Sequence, residues 1–443
     1  MRKSLSKRAI TRAQVIGIVL IIVIAIVAGV VFYYFTKPVE EKTPIKIGII
    51  GPLRETEGMH MQMGAILAVE EINAKGGVLG RPLELVYEDS GTTPMEGVLA
   101  FEKLVTVHKV SVVIGEEKSE LCLAEQEVMA DHKVIFLSVG AANPELCARV
   151  GQNYERYKYY FRISPVNSTM LGQYIFKGLP WVRDKIKALG IENVKVAIIG
   201  AQTKGMEPIF EAAEAIIPEL GMEHVGTWRV SPTATDLTSE LLAIKESGAH
   251  LVLTMFSEAA GVVFSRQRGE LEIPVAVWGI NSEAQKAVFW ESTLGYGNYE
   301  CLMNTYWREE FIDKYMEKWG EYPTYCSATY EAIYIWADSV ERAGTLDPDA
   351  VVQEIEMWGK RGSDVMQKFR DLHDGVGMNT APGCHFEFTS NHDVMCGPGY
   401  VEPVFTQWID GELKCVWPES SATAEYQIPP YAIDYWRATG QIP

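Results

Sequence analysis

The sequence lacks an excess of positive charge. Its 443 residues contain 40 Lys and Arg against 58 Asp and Glu, which gives a formal net charge of −18 at pH 7. Proteins that bind nucleic acids need Lys and Arg to neutralise phosphates, so this composition argues against a nucleic-acid partner. Residues 1–14 are the exception, because they carry basic side chains and no acidic one.

The sequence also lacks the short motifs of common catalytic sites. It contains no GxSxG elbow, no HExxH motif and no GxxxxGK[ST] loop. Their absence argues against a serine hydrolase, a metalloprotease and a nucleotide-binding enzyme. Cys384, His385, His392 and Cys396 lie close together, but their spacing fits no standard zinc site. We therefore expect a protein that is not an enzyme and has no catalytic residue, no metal and no cofactor.

Charge is absent from residues 15–35, a run of 21 apolar and small residues. This length is sufficient for a helix to cross a bilayer, and the basic segment 1–14 should then stay cytoplasmic. A cleaved signal peptide is the alternative, but the run is longer than usual and no small-residue cleavage site follows it. The sequence therefore predicts a single-pass cell-membrane protein with a linker at 36–44 and its remaining part outside the cell.

Cysteine is scarce, with seven residues in the whole chain. Export favours disulfides, and an odd number leaves at least one free thiol. We expect a first pair between Cys122 and Cys147, which flank one predicted strand, and a second between Cys384 and Cys396. The remaining cysteines cannot be assigned from spacing: Cys301, Cys326 and Cys415.

Residues 45–89 have the pattern of a βαβ unit. A run rich in β-branched residues breaks at Gly51-Pro52, as expected for a buried parallel strand. The apolar residues of 66–72 then lie three or four apart, which indicates a helix that ends at Gly76-Gly77. Alternation resumes at 83–87, so the two strands should be parallel.

The alternation of strands and helices occurs in two series. The first continues to Gly140, and the second runs from 171 to 278. Each α/β layer buries only its own helices, so the sequence predicts two lobes. Near the end, Asp410-Gly411 separates two apolar runs and predicts a β-hairpin.

Several residues of the first unit also carry a family resemblance. Gly51-Pro52-Leu53, AVEEINAKGGVLGR at 68–81 and Tyr87-Glu88-Asp89 resemble type I periplasmic binding proteins, in particular the leucine/isoleucine/valine-binding branch of ABC importers. The resemblance implies an α/β fold of two doubly wound lobes joined by three crossing strands. The implied division is lobe 1 at 45–163 and 303–399, lobe 2 at 164–302 and 400–418, and a C-terminal tail at 419–443.

In a fold of this kind the ligand lies at the carboxyl ends of the strands. Ser119 is expected to be the N-cap of a helix whose free amides suit a ligand carboxylate. The resemblance implies further contacts from the loop Gly140, Ala141 and Ala142. The complete predicted set of ligand-binding residues is Glu57, Lys118, Ser119, Gly140, Ala141, Ala142, Lys204, Phe256 and Asn281.

Some of these positions depart from the family pattern. Ala142 replaces a threonine, and Asn281 replaces the acidic residue that pairs with the ligand ammonium. A buried ammonium without a carboxylate is costly, which argues against a plain aliphatic amino acid. Glu57, Glu116 and Glu117 could supply the missing charge for a cationic ligand, or they could be solvated at the rim.

The resemblance implies that the protein is an extracellular solute-binding protein of an ABC importer. It would capture a small polar solute, an amino acid or a related molecule, by closing its two lobes. Its partners would be this ligand, the permease subunits and the membrane. A sensory ectodomain, or a binding protein for an amide, urea-like or cationic ligand, remains an alternative.

Overall fold

The computed structural model describes residues 12, 19–20, 22–29, 42–203, 206–305, 307–358, 360, 386–397 and 399–443. The chain forms two separate units, Met1–Thr43 and Pro44–Pro443. In the first unit, 19–20 and 22–29 are helical and exposed. The other residues of the predicted anchor at 15–35 lie outside the described part. Among the residues described, no helix has both the length and the apolar character needed to cross a membrane.

The second unit begins with a parallel sheet of five strands. These are β1 (Ile45–Gly51), β2 (Leu83–Asp89), β3 (Val112–Gly115), β4 (Ile135–Ser138) and β5 (Tyr160–Arg162), in the order β2-β1-β3-β4-β5. The intervening helices are α1 (Thr56–Ala74), α2 (Pro94–Lys103), which a π-helical turn at Leu104–His108 extends, α3 (Ser119–His132), α4 (Glu145–Gln152) and α5 (Tyr154–Tyr157). The β-branched strands β1 and β3 are buried almost throughout, as parallel strands covered on both faces must be.

A second parallel sheet has four strands in the order β7-β6-β8-β9. Its strands are β6 (Lys195–Ala201), β7 (Glu223–Val230), β8 (Leu251–Phe256) and β9 (Ala276–Asn281). Its helices are α6 (Ser168–Lys187), α7 (Glu207–Glu219), α8 (Thr238–Glu246), α9 (Ala260–Glu270) and α10 (Phe289–Ser292), with a 3-10 turn at Ser282–Gln285. The α/β fold with parallel sheets predicted from the sequence is confirmed.

Three antiparallel strands form a smaller sheet, β10 (Cys301–Asn304), β11 (Val404–Ile409) and β12 (Glu412–Trp417). The predicted hairpin is confirmed, and Asp410 and Gly411 both have positive φ, as the tight turn requires. The later helices are α11 (Glu309–Trp319), α12 (Thr329–Ala343), α13 (Pro348–Glu356) and α14 (Pro430–Ala438), with a 3-10 turn at Tyr325–Ala328.

Separate hydrophobic cores surround the two parallel sheets. In the first core, helices α12 and α13 pack against β1–β5, although both helices follow the second sheet in the chain. The second core includes residues beyond 418, which the sequence left unassigned as a tail. Trp436 of α14 is buried there, and its indole N–H donates to the carbonyl of Pro274 at 3.0 Å. The predicted lobe boundaries and the three crossing strands stay predictions.

The predicted disulfide between Cys122 and Cys147 is wrong, because both thiols are free and buried. The Sγ of Cys122 lies 4.0 Å from the Tyr160 hydroxyl, whereas Cys147 interacts with Asp393. Each thiol therefore has a different neighbour within the core. The second predicted pair fails because the thiol of Cys396 is free; its partner Cys384 lies outside the described residues.

His392, one of the loosely spaced metal-ligand candidates, is used structurally. Its Nδ1 lies 2.9 Å from the carbonyl of Tyr160, and its Nε2 lies 2.9 Å from Glu356 Oε1. Cys384 and His385 lie outside the described residues. In the described part of the chain no group of three or more His, Cys, Asp or Glu side chains is arranged to hold a metal ion.

Candidate functional site

The loops that follow β1, β3 and β4 meet at the carboxyl edge of the first sheet. The backbone N–H of Gly140 donates to the carbonyl of Glu116 at 3.1 Å, which joins the last two loops. Lys118 Nζ lies 2.9 Å from Glu55 Oε1, which joins the first two. This edge is where ligands bind in open parallel sheets.

Glu116 shapes the loop between β3 and α3. Its backbone has a φ of 57°, in the left-handed region, and its side chain folds back onto the loop. Its Oε1 accepts hydrogen bonds from the backbone N–H groups of Glu117 at 3.0 Å and Lys118 at 2.8 Å. The Glu116 carboxylate thus occupies two backbone amides just before the N-terminus of α3.

The predicted N-cap role of Ser119 is wrong. Helix α3 begins at Ser119, so Lys118 is its N-cap residue and makes no side-chain capping bond. Ser119 Oγ instead accepts the N–H of Asn143 at 3.1 Å. The residue still lies on the ligand edge of the sheet.

The loop of Gly140, Ala141 and Ala142 is tightly packed. A Cβ on Gly140 would lie 2.6 Å from the Cβ of Glu117, so only glycine fits there. Ala141 is fully buried, and the carbonyl of Ala142 accepts the N–H of Ser168 at 3.0 Å. The Gly140 amide and the Ala142 carbonyl are therefore already bonded within the chain.

Phe256 and Asn281 lie in the interior of the second sheet's layer. The Phe256 ring packs against Phe264 with 5.3 Å between centroids. Both Phe256 and Asn281 are fully buried. Asn281 Nδ2 donates to Glu300 Oε1 at 2.9 Å, to Ser265 Oγ at 3.1 Å and to the carbonyl of Gly261 at 3.2 Å. Both side chains are engaged within the second layer, their role in ligand binding stays a prediction, and Lys204 lies outside the described residues.

One ion pair connects the ligand edges of the two parallel sheets. Glu57 lies in the first turn of α1, and Lys286 follows the 3-10 turn after β9. Lys286 Nζ lies 3.1 Å from Glu57 Oε1 and 2.9 Å from Glu283 Oε1. Both Glu57 and Lys286 are largely buried, so their attraction is little weakened by water.

Glu117 adds a third carboxyl group beside this ion pair. Burial first, and then the negative charges of Glu57 and Glu116, raise the pKa of Glu117 to about 7. The Tyr325 hydroxyl donates to Glu117 Oε2 at 3.3 Å. We call Glu57, Glu117, Glu283 and Lys286 the bridging charge cluster. It contains three carboxyl groups and a single ammonium.

The sequence reasoning identified Glu57 and Glu117 but missed Lys286, Glu283 and Tyr325. Lys286 and Glu283 follow directly after a predicted strand of the second series, so the rule that placed Ser119 would also have found them. Tyr325 gave no such signal, because it belongs to a segment that returns to the first sheet from a distant part of the chain.

Comparison with known proteins agrees with this geometry. Residues 44–381 match the family described as periplasmic binding protein. The chain belongs to the periplasmic binding protein family. A relative from Brucella abortus, Leu/Ile/Val-binding protein homolog 7, is 26% identical over 404 residues, which cover 87% of this chain and 94% of the relative. The resemblance proposed from 51–53, 68–81 and 87–89 is therefore confirmed.

Solved structures of periplasmic binding proteins share the fold at low identity. A putative branched-chain amino acid ABC transporter protein from Silicibacter pomeroyi has a TM-score of 0.72, at 20% identity over 88% of this chain and 100% of its own. LivJ from Streptococcus pneumoniae in complex with isoleucine gives 0.65, at 18% identity over 84% and 98%. A solute-binding protein from R. palustris in complex with benzoate gives 0.64, at 14% identity over 87% and 99%. Members of this family bind solutes and are not enzymes, so the non-enzyme prediction is confirmed.

Proposed function

We propose that this periplasmic binding protein captures a small polar solute outside the cell and delivers it to the permease of an ABC importer. Family membership supports this, as do relatives whose names refer to leucine, isoleucine and valine. The observation that carries the proposal is the ion pair between Glu57 and Lys286, because it joins the ligand edges of two separately packed α/β layers. Opening the two lobes separates Glu57 from Lys286, and closing them around a solute brings the two ligand edges back together.

We propose further that the ligand carries an amine. The amides of Glu117 and Lys118, and the Gly140 amide, are bonded within the chain, which removes donors that a ligand carboxylate would use. The bridging charge cluster has more carboxyl groups than cations. A ligand ammonium would take the place of the Lys286 ammonium beside Glu57 and Glu117. An amino acid fits this description, and so does another small amine.

Calorimetric titration of the unit from residue 44 onward tests the ligand class, because this unit packs separately. L-leucine, L-lysine and benzoate are the probes. We expect the amine-bearing probes to bind and benzoate not to bind. The double change Glu57→Gln and Glu117→Gln should weaken amine binding at least roughly tenfold, about 1.4 kcal/mol. The matched control is Glu84→Gln, an exposed acid on β2. Benzoate binding that is insensitive to the double change would refute the proposal that the ligand carries an amine. Native mass spectrometry that finds no bound solute, either co-purified or added, would refute solute capture itself.

We also propose that residues 15–35 tether the protein to the cell membrane, with the ligand-binding unit outside. The support is their length of 21 uncharged residues next to the basic segment 1–14. Cell fractionation of the full chain and of a chain that starts at residue 44 should place the first with membranes and the second in the soluble fraction. Equal distribution of the two would contradict the tether.

A sensory ectodomain is the second candidate, since it would use the same tether and the same cleft. The two functions differ in their partners. Affinity purification of the full chain from membranes should recover permease subunits if it serves transport. Recovery of a signalling protein without a permease would favour sensing.

A further inference from the structure

Two fully buried carboxyl groups lie within hydrogen-bonding reach of each other at the loop that follows β3. They belong to Glu116, on that loop, and Glu125, in the middle of α3. Glu116 Oε1 accepts the two amides described above. Within the described residues, the other oxygen of Glu116 and both oxygens of Glu125 have no hydrogen-bond donor. A buried oxygen without a donor carries a free-energy penalty of roughly 1–3 kcal/mol, or more if it is charged.

A proton is the missing donor. Two ionised carboxylates in contact repel each other, but a neutral carboxyl donates a hydrogen bond to an ionised one. Burial raises the pKa of both groups, and the charge of Glu116 raises that of Glu125 further. Among the ion pairs of the described residues, none joins a Lys, Arg or His side chain to either carboxyl. Lys118 interacts with Glu116 electrostatically, but its ammonium pairs with Glu55.

The other groups around this pair do not supply a charge that would replace the proton. The hydroxyl of Ser90 lowers the pKa of Glu116 but makes no hydrogen bond to either carboxyl. The backbone amides of Glu117 and Lys118 lower it as partners of the ionised form. The thiol of Cys122 is fully buried, and its pKa is raised by burial and by both carboxyls, so it stays neutral. Glu117 and the Cys326 thiol also feel the charge of Glu116, and the hydroxyls of Ser138 and Tyr160 contact the Cys122 thiol.

The packing also makes room for Glu125. A Cβ on Gly97, in helix α2, would lie 2.8 Å from Glu125 Oε1. A side chain at this position would push against the carboxyl from the side opposite the loop. The site of Glu125 is therefore shaped by α2 as well as by α3.

We propose that Glu125 is a positioning residue, which keeps a proton and donates it to Glu116, so that Glu116 can hold the amides of the loop between β3 and α3. The proton lies on Glu125 because its oxygens have no other donor, whereas Glu116 Oε1 already accepts two. The proposal rests on the proposed function only in treating this loop as part of the binding cleft. Loss of the proton places two negative charges in contact and displaces the loop.

Two substitutions in the full chain separate this role from simple packing. Glu125→Gln keeps a donor and cannot titrate, while Glu125→Leu removes the donor. We expect Glu125→Gln to preserve the protection of the Glu117 and Lys118 amides in hydrogen exchange, measured by mass spectrometry at about pH 7. We expect Glu125→Leu to speed their exchange at least roughly tenfold. Glu120→Gln, at an exposed position of the same helix, is the control.

The pH dependence of stability gives a second readout. An acid whose folded pKa is raised favours folding most at low pH, and this contribution falls as pH rises from the unfolded to the folded pKa. The urea midpoint of the wild type should therefore fall more steeply between about pH 5 and pH 9 than that of Glu125→Gln. Equal slopes, or undisturbed amides in Glu125→Leu, would overturn the proposal.

Infrared spectroscopy of the wild type covers the case in which the variants do not fold. The carbonyl band of a neutral carboxylic acid should persist at about pH 8, well above the usual pKa of Glu. Its absence would overturn the proposal. None of these measurements uses a ligand, so a failure to find a solute and a failure of the shared proton are separate outcomes.

Discussion

Replacing Asn281 by Asp should destabilise the protein, although the family resemblance implies an acidic residue at this position. Asn281 Nδ2 has three acceptors within hydrogen-bond distance in a fully buried site, and these share its two N–H groups; one of them is Glu300 Oε1 at 2.9 Å. An aspartate there would remove these donors and place a carboxylate against that of Glu300. Arg268 already serves Glu300, with its Nε 3.8 Å from Oε2, and it cannot fully neutralise a second charge.

The magnitude follows from the distance. Two unit charges about 2.9 Å apart repel by roughly 6 kcal/mol at an effective dielectric constant of about 20. Protonation of the new aspartate limits this cost, and losing a hydrogen bond to a charged group adds roughly 1.5–3 kcal/mol. We therefore expect the free energy of unfolding to fall by about 3–5 kcal/mol at pH 8, and by less at about pH 5, where the aspartate is protonated.

Urea unfolding of Asn281→Asp at both pH values measures this effect. The matched control is Asn193→Asp, because Asn193 Nδ2 also donates to a glutamate, Glu223 Oε2, at 2.6 Å, but in an exposed position. We expect the control to lose no more than about 1 kcal/mol, as exposed charges do. A stable Asn281→Asp with a higher affinity for leucine would show that residue 281 faces the ligand and that the buried network is misplaced.

Three further predictions concern other parts of the structure. Gly140→Ala should cost about 1–3 kcal/mol of stability and weaken ligand binding, because its Cβ would lie 2.6 Å from that of Glu117. The control is Gly172→Ala in helix α6, where the nearest atom to the new Cβ is 3.9 Å away and the change should be neutral or slightly stabilising. Thermal unfolding compares the two variants. Glu117→Gln should reduce the loss of stability as pH rises from about 4.5 to about 7, since a raised pKa favours the folded state at low pH; an unchanged urea midpoint profile would contradict this. Trp436→Ala should cost roughly 3–5 kcal/mol in urea unfolding, because it empties a buried site on the second core, and a loss below about 1 kcal/mol would mean that α14 does not complete that core.

The parts of the fold that depend on local pattern could be predicted from the sequence. Strand β1 is specified by its β-branched run, and the hairpin by Asp410-Gly411, because both signals lie within a few residues. The tail was not predictable in this way. Helix α14 is stabilised by contacts with Pro274 and the second core, which lie far away in the chain.

The site was less predictable because its decisive contacts are long-range or conformational. Ser119 has the residue type of an N-cap, but the helix begins at Ser119 itself and its Oγ accepts the N–H of Asn143 from the next loop, a contact that sequence spacing does not show. Asn281 was predicted as a ligand contact from the resemblance, and its buried partner Glu300 could not be foreseen because it lies 19 residues later, before β10. Glu57 and Lys286 come from different sheets, so nothing in either segment indicates their pairing.

The position of α14 has a consequence for biosynthesis. This helix follows β12 in the chain, yet its Trp436 fills a place among the apolar side chains of α6 and β9, which are made much earlier. The second α/β layer therefore keeps an apolar surface uncovered until α14 has folded onto it. Released chains that stop before residue 430 should bind chaperones that hold exposed apolar surfaces, whereas full-length chains should not.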